Sequence, residues 1–135
     1  MLPSGLPEHV EDEEDLARFL TLPNQFKGLL VKHSAFLPNP KDGKKSVFRH
    51  GSEPRESLRQ IGRQELSGDA KIHGAAICKA KHVRAAQLEI EAKEPPPRHA
   101  DIVGWPWKAD DPEMGKGERK ERAMLIAQHA EFVPL

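Results

Sequence analysis

Tyrosine is absent from this 135-residue chain, cysteine occurs once, and aromatic residues amount to only 5%. With Cys78 as the single thiol, an intramolecular disulfide is excluded and cysteine alone cannot build a zinc site. Charge of one sign is also lacking. Lys plus Arg total 21 and Asp plus Glu total 21, which excludes a uniformly basic nucleic-acid protein and a uniformly acidic mimic of one. Long apolar runs are missing too: the longest, such as residues 74–78, fall far short of the roughly 20 residues that cross a bilayer. The opening stretch from Met1 to Val10 has neither the positive start nor the apolar segment of a secretory signal. A free thiol and no export signal predict a cytoplasmic protein in a reducing compartment.

What is present is a modest core and a strong sorting of charge. Leu, Ile, Val and Phe together are 30 of 135 residues, just above the level of about 20% below which chains rarely bury a core. One domain is expected at this length. Residues 1–25 carry six acids (Glu8, Glu11, Asp12, Glu13, Glu14 and Asp15) against Arg18 alone. Residues 26–98 carry fifteen bases to eight acids, and residues 99–135 five bases to seven acids. An acidic head on a basic body predicts either intramolecular docking or separate partners.

Patterning predicts an α+β domain over residues 11–135 behind a flexible tail at residues 1–10. Acids followed by Leu16, Phe19 and Leu20 at helical spacing predict a short amphipathic helix over 11–22, stopped by Pro23. Residues 28–33 and 46–49 read as strands flanking a turn-rich loop at 37–45, with Asp42-Gly43 its tightest point. Ser52 is placed to cap a helix entered at Glu53-Pro54, with Leu58, Ile61 and Leu66 buried and Gly68 ending it. A strand buried on both faces follows at 71–78, then one or two helical turns at 81–87. Residues 88–92 alternate as a half-exposed strand, Pro95-Pro-Pro97 ends it, and 100–103 form another short strand. Residues 104–117 read as an irregular loop carrying both tryptophans. A final helix spans 118–131, with a Glu118–Arg122 pair and Met124, Leu125, Ile126 and Phe132 as its apolar side. The expected architecture is a small mixed sheet of four to five short strands packed by two to three helices.

Two Arg-His dipeptides, Arg49-His50 and Arg98-His99, sit at element edges. The string Val47-Phe-Arg-His-Gly51 resembles the strand-end Arg-His-Gly signature of the histidine phosphatases. That resemblance implies a phosphoryl-accepting nucleophile at His50 and a phosphate ligand at Arg49, with His99 standing for the second histidine and Arg98 assisting. It covers about five residues, and no later His-Gly strand end completes the pattern. The combination of residues 46–49 with 99–105 is similar to small bacterial and phage proteins of unassigned function, which implies such an origin and no particular activity.

Other constellations carry less chemistry. None of the seven histidines pairs at i,i+4, and His73 and Cys78 fall on opposite strand faces, so no metal site is predicted. Met114-Gly-Lys-Gly117 lacks the spacing of a phosphate loop, and no cofactor is predicted. Arg55, Arg59 and Arg63 share one helix face at i,i+4 spacing, beside Lys44 and Lys45 in the preceding loop. Trp105-Pro-Trp107 offers interface anchors or a lid on the core. The favoured expectation is therefore a non-catalytic accessory module that binds a protein or polyanion. Its contacts are Arg55, Arg59, Arg63, Lys44, Lys45, Trp105 and Trp107, with the acidic head covering the basic surface until a partner arrives. A phosphate-handling enzyme using Arg49, His50 and His99 is one alternative, and a nucleic-acid-binding protein is the other.

Overall fold

The computed structural model describes residues 2–50, 55–65 and 71–135. Ser52, Glu53, Pro54, Leu66 and Gly68, expected to bound the first helix, lie outside the described residues. Among those described, six strands form one antiparallel sheet and two more a small separate ribbon, so the chain is α+β with a larger sheet than expected. The strands are β1 (Asp15–Leu20), β2 (Phe26–Lys27), β3 (Leu30–Val31), β4 (Lys45–Arg49), β5 (Gly74–Lys79), β6 (Glu89–Ala92), β7 (His99–Val103) and β8 (Glu131–Pro134). The helices are α1 (Arg55–Glu65), α2 (Ala80–Ala85) and α3 (Lys116–Gln128), with 3-10 turns at Pro23–Gln25 and His33–Ala35. No helix among the described residues is long and apolar enough to cross a membrane.

The main sheet runs β6-β7-β4-β1-β5-β8. This order overturns the helix expected at 11–22, because its apolar half is the central strand β1. Leu16 and Leu20 face one side of the sheet and Ala17 and Phe19 the other, all buried. A strand covered on both faces loses polar alternation, so its apolar residues mimic a helical stripe. Hydrogen bonding to β5 along six register positions, from Asp15↔Lys79 to Leu20↔Gly74, decides for strand.

The strand expected at 28–33 is also revised. Residues 26–31 close on themselves as the β2–β3 ribbon, while β4 lies between β1 and β7. The last strand was not expected. Helix α3 stops at Gln128, and β8 then pairs with β5 through Ala75↔Val133 and its neighbours. On α3 the buried positions are Ala123, Ile126 and Ala127, whereas Met124 and Leu125 are exposed. Alanines let the helix approach the sheet closely, so of the expected apolar side Ile126 and Phe132 pack against the core while Met124 and Leu125 face outward. Arg122 reaches the Gly104 carbonyl (3.4 Å) in place of Glu118.

The sheet separates two apolar layers. Helix α1 packs Leu58 and Ile61 against Phe19, Phe48 and Ile77 on one face. On the other, α2, α3 and the turn at 33–35 enclose Leu16, Val47, Ile102, Phe36 and Trp105. Residues 2–10, expected as a tail, lie along the ends of β4 and β6: Val10 is buried, and Ser4 bonds the Glu94 carboxylate through both its N–H and its hydroxyl.

Candidate functional site

The two Arg-His dipeptides meet where β4 ends and β7 begins. The Arg49 N–H donates to the Arg98 carbonyl (2.7 Å). Arg98, in the left-handed region at φ 68°, points Nη1 back to the carbonyls of Arg49 (3.2 Å) and His50 (3.4 Å). Strand alternation then parts the functional groups. The His99 ring stands edge-on to Phe48 on the α1 face, and Arg49 projects from the opposite face.

Arg49 has 0% exposure. It forks onto Glu14 through Nε (2.5 Å) and Nη2 (2.7 Å) and donates through Nη1 to the Pro7 carbonyl (2.6 Å) and through Nη2 to that of His9 (3.4 Å). Its charge is spent pinning residues 7–14 to the sheet, and it presents no surface to an incoming phosphate. His50 is buried, with its N–H on the Asp15 carbonyl (2.8 Å). His99 is clamped between the Lys93 carbonyl at Nδ1 (2.8 Å) and the Ser46 hydroxyl at Nε2 (2.6 Å). A carbonyl only accepts, so Nδ1 carries the proton and Nε2 receives that of Ser46. Asp101 stands 3.6 Å from Nε2, on the wrong nitrogen to orient this ring as a catalytic triad would.

The acidic head docks within the chain, at places other than the arginine helix. Asp12 bonds Arg84, Glu13 bonds Lys81 and faces Lys79, Asp15 also faces Lys79, and Glu14 takes Arg49. The Lys81 hydrogen bond holds the exposed Glu13 carboxyl below its ordinary range. No described acid of the head pairs with Arg59 or Arg63, so the expected cover over that face is not formed. Both arginines are exposed on the outer side of α1; the Arg55 side chain lies outside the described residues.

A second group of cations keeps no carboxylate. Arg18 of β1 and Lys45 of β4 project from the α3 side of the sheet into a cavity of about 350 Å³. Leu37, Pro38, Pro40, Asp42 and Lys44 of the 37–45 loop and Asp101 of β7 also line it, neither acid being in an ion pair with Arg18 or Lys45. Arg18 Nη1 donates to the Ser46 carbonyl (3.1 Å), while its Nε is buried without a hydrogen-bond partner among the described residues. Burial lowers the Arg18 pKa. Burial, and then the nearby Arg18 charge, push the Lys45 amine down to about 7. The loop is self-braced: Asn39 Oδ1 accepts from the Lys41 N–H (2.9 Å) and Asp42 Oδ1 from that of Lys44 (3.0 Å). Arg18 was missed from sequence, although a lone arginine inside the apolar run 16–20 is itself a signal.

The tryptophans divide their roles. Trp105 is 6% exposed and donates Nε1–H to the Ile102 carbonyl (3.0 Å), so it belongs to the core. Trp107 is half-buried and donates to the Pro40 carbonyl (3.2 Å). Its ring covers Gly43, whose φ is 68° and where a Cβ would lie 2.5 Å from ring carbons. On its outer side Trp107 forms a groove of about 550 Å³ with Leu37, Pro38 and Pro40, rimmed by Lys116 and Lys120 of α3. Arg119 fixes the far wall by donating to the carbonyls of Pro106 (2.8 Å), Met114 (2.7 Å) and Pro112 (2.7 Å). The arginine helix and this groove lie on opposite faces of the sheet.

Among the described residues no cluster of three or more His, Cys, Asp or Glu side chains could hold a metal ion. Burial, then the Asp15 charge, push the Cys78 thiol up to about 12. A thiolate is the reactive form, so Cys78 should resist a disulfide exchange reagent at pH 8 in the folded protein. It should react stoichiometrically once denaturant is added, and rapid labelling of the native chain would contradict its placement. Comparison with protein-family models, curated proteins and solved structures found no match.

Proposed function

We propose that this protein is a non-catalytic binding module whose partner is a protein segment carrying an apolar side chain between acidic ones. The observation supporting this reading is the Trp107 groove: an apolar floor with a half-exposed indole, bordered by Lys116 and Lys120. Tryptophan in a preformed pocket is a common interface anchor because it buries a large area with few rotors to freeze. The basic rim favours acidic neighbours and steers their approach. In this reading Arg49 and His50 tie the head to β4, and Arg98 and His99 brace the start of β7 against β4, in place of a phosphate-handling centre. Arg59 and Arg63 remain available to a polyanion on the α1 side, but a partner seated on Trp107 does not reach them without passing around the sheet.

The test is a titration of tryptophan fluorescence with a peptide holding a Leu-Phe pair between two Asp-Glu dipeptides. Saturable binding is expected, weakened at least tenfold by Trp107→Ala and by the charge reversal Lys120→Glu. A peptide with Lys in place of the acids should not bind. Equal binding of acidic and basic peptides, or indifference to Trp107→Ala, would rule the groove out. Gly43→Ala should also weaken binding, because its methyl group displaces the indole.

A further inference from the structure

We propose that the cavity between β1, β4 and the 37–45 loop is a binding site for a small organic phosphate, a phosphomonoester dianion held by Arg18 and Lys45. Two cations sharing a half-closed, low-dielectric space repel each other and lose hydration, a cost that proteins ordinarily offset with a carboxylate. Here no described carboxylate pairs with either one. By contrast Arg49, the fully buried cation on the same face of the sheet, has its carboxylate in Glu14. Arg18 is held in place by the Ser46 carbonyl, and its buried Nε–H has no acceptor among the described residues.

A dianion is the species that answers two adjacent cations. A monoanion such as a carboxylate would leave one of them uncompensated. The space of about 350 Å³ is at the small end of organic-ligand pockets and exceeds what the phosphate group itself needs. Leu37, Pro38 and Pro40 offer apolar walls to the remainder of the ligand. The charged groups facing Lys45 across the cavity are Arg18, Lys44, Asp42 and Asp101. Asp42 accepts from the Lys44 N–H and Asp101 stands beside His99, so these two lining carboxylates are engaged elsewhere and neither is in an ion pair with Arg18 or Lys45. A bound dianion favours the charged amine, and binding should take up a proton at Lys45 above neutral pH.

The experiment follows the Lys45 side-chain amine by NMR in the full chain, with inorganic phosphate, glycerol phosphate and acetate added at matched ionic strength. Phosphate is expected to raise the Lys45 titration midpoint by more than one pH unit. Glycerol phosphate should do the same at a concentration at least several-fold lower, and acetate should leave the midpoint unmoved. Lys45→Met and Arg18→Gln should each weaken phosphate binding at least tenfold, measured by calorimetry. An unmoved Lys45 midpoint, or an equal response to acetate, overturns the site. Glycerol phosphate binding no tighter than inorganic phosphate overturns the organic part of the assignment. Should Arg18→Gln fail to fold, the Lys45 midpoint in the unaltered protein still decides.

Discussion

Glu14→Gln is expected to destabilise this protein by about 3–5 kcal/mol, the usual cost of leaving one member of a buried ion pair without its partner. Among the described residues Glu14 is the only carboxylate paired with Arg49, and Arg49 has no exposed surface through which water could replace it. The isosteric amide preserves shape and one acceptor but removes the charge, so the guanidinium stays buried and uncompensated. The loss should appear as a lower urea midpoint with an unchanged slope. Because Arg49 also holds the Pro7 carbonyl, amides of residues 7–14 should lose protection from hydrogen exchange before the sheet does. The double variant Glu14→Leu/Arg49→Met should regain part of the loss, since an apolar pair leaves no buried charge, although the Pro7 and His9 carbonyls then lose their donor. A loss under about 1 kcal/mol for Glu14→Gln would show that the pair behaves as a surface bridge.

The second large effect is a stability that rises with pH. The Lys45 amine has its pKa lowered from 10.5 to about 7 by burial and by Arg18. Between these values the unfolded chain holds a proton that the folded chain has released, so raising the pH favours the folded state. Below pH 7 both states are protonated and the full cost of the buried charge is present. From pH 7 to pH 9 the free energy of unfolding should increase by about 2 kcal/mol. Above pH 9 the Cys78 thiol acts in the opposite direction, because the folded state keeps a proton that the unfolded thiol loses. Lys45→Met should flatten the pH 7–9 rise and make the ligand-free protein more stable at pH 7. Urea unfolding at half-unit pH intervals measures this, and a profile that falls between pH 7 and 9 would contradict the burial of this amine.

Several elements were legible from local pattern. The small apolar run leading to Cys78, the alternation at 88–92 and the periodicity before Gln128 became β5, β6 and α3, because each follows from side chains a few residues apart. The turn chemistry of Asp42-Gly43 likewise marked the loop that walls both cavities. Residues 15–20 were misread because a central strand, buried on two sides, has no polar alternation to display. The final helix was carried on to Glu131, with Phe132 on its apolar side, because four residues are too few to show a period, and only β5 alongside makes 131–134 a strand.

The charge sorting, the lone thiol and the α+β composition were determined by the sequence alone, since each is a property of composition or of neighbours along the chain. Which acid meets which base was decided by the tertiary structure: Glu14 and Arg49 are 35 residues apart, and Asp12 and Arg84 are 72 apart. The same holds for Arg18, which reaches a carbonyl 28 residues away and so comes to share a cavity with Lys45. Local propensity reaches only about one helical turn, whereas sheet pairing brings distant residues within hydrogen-bonding distance and sets their side chains on one face or the other.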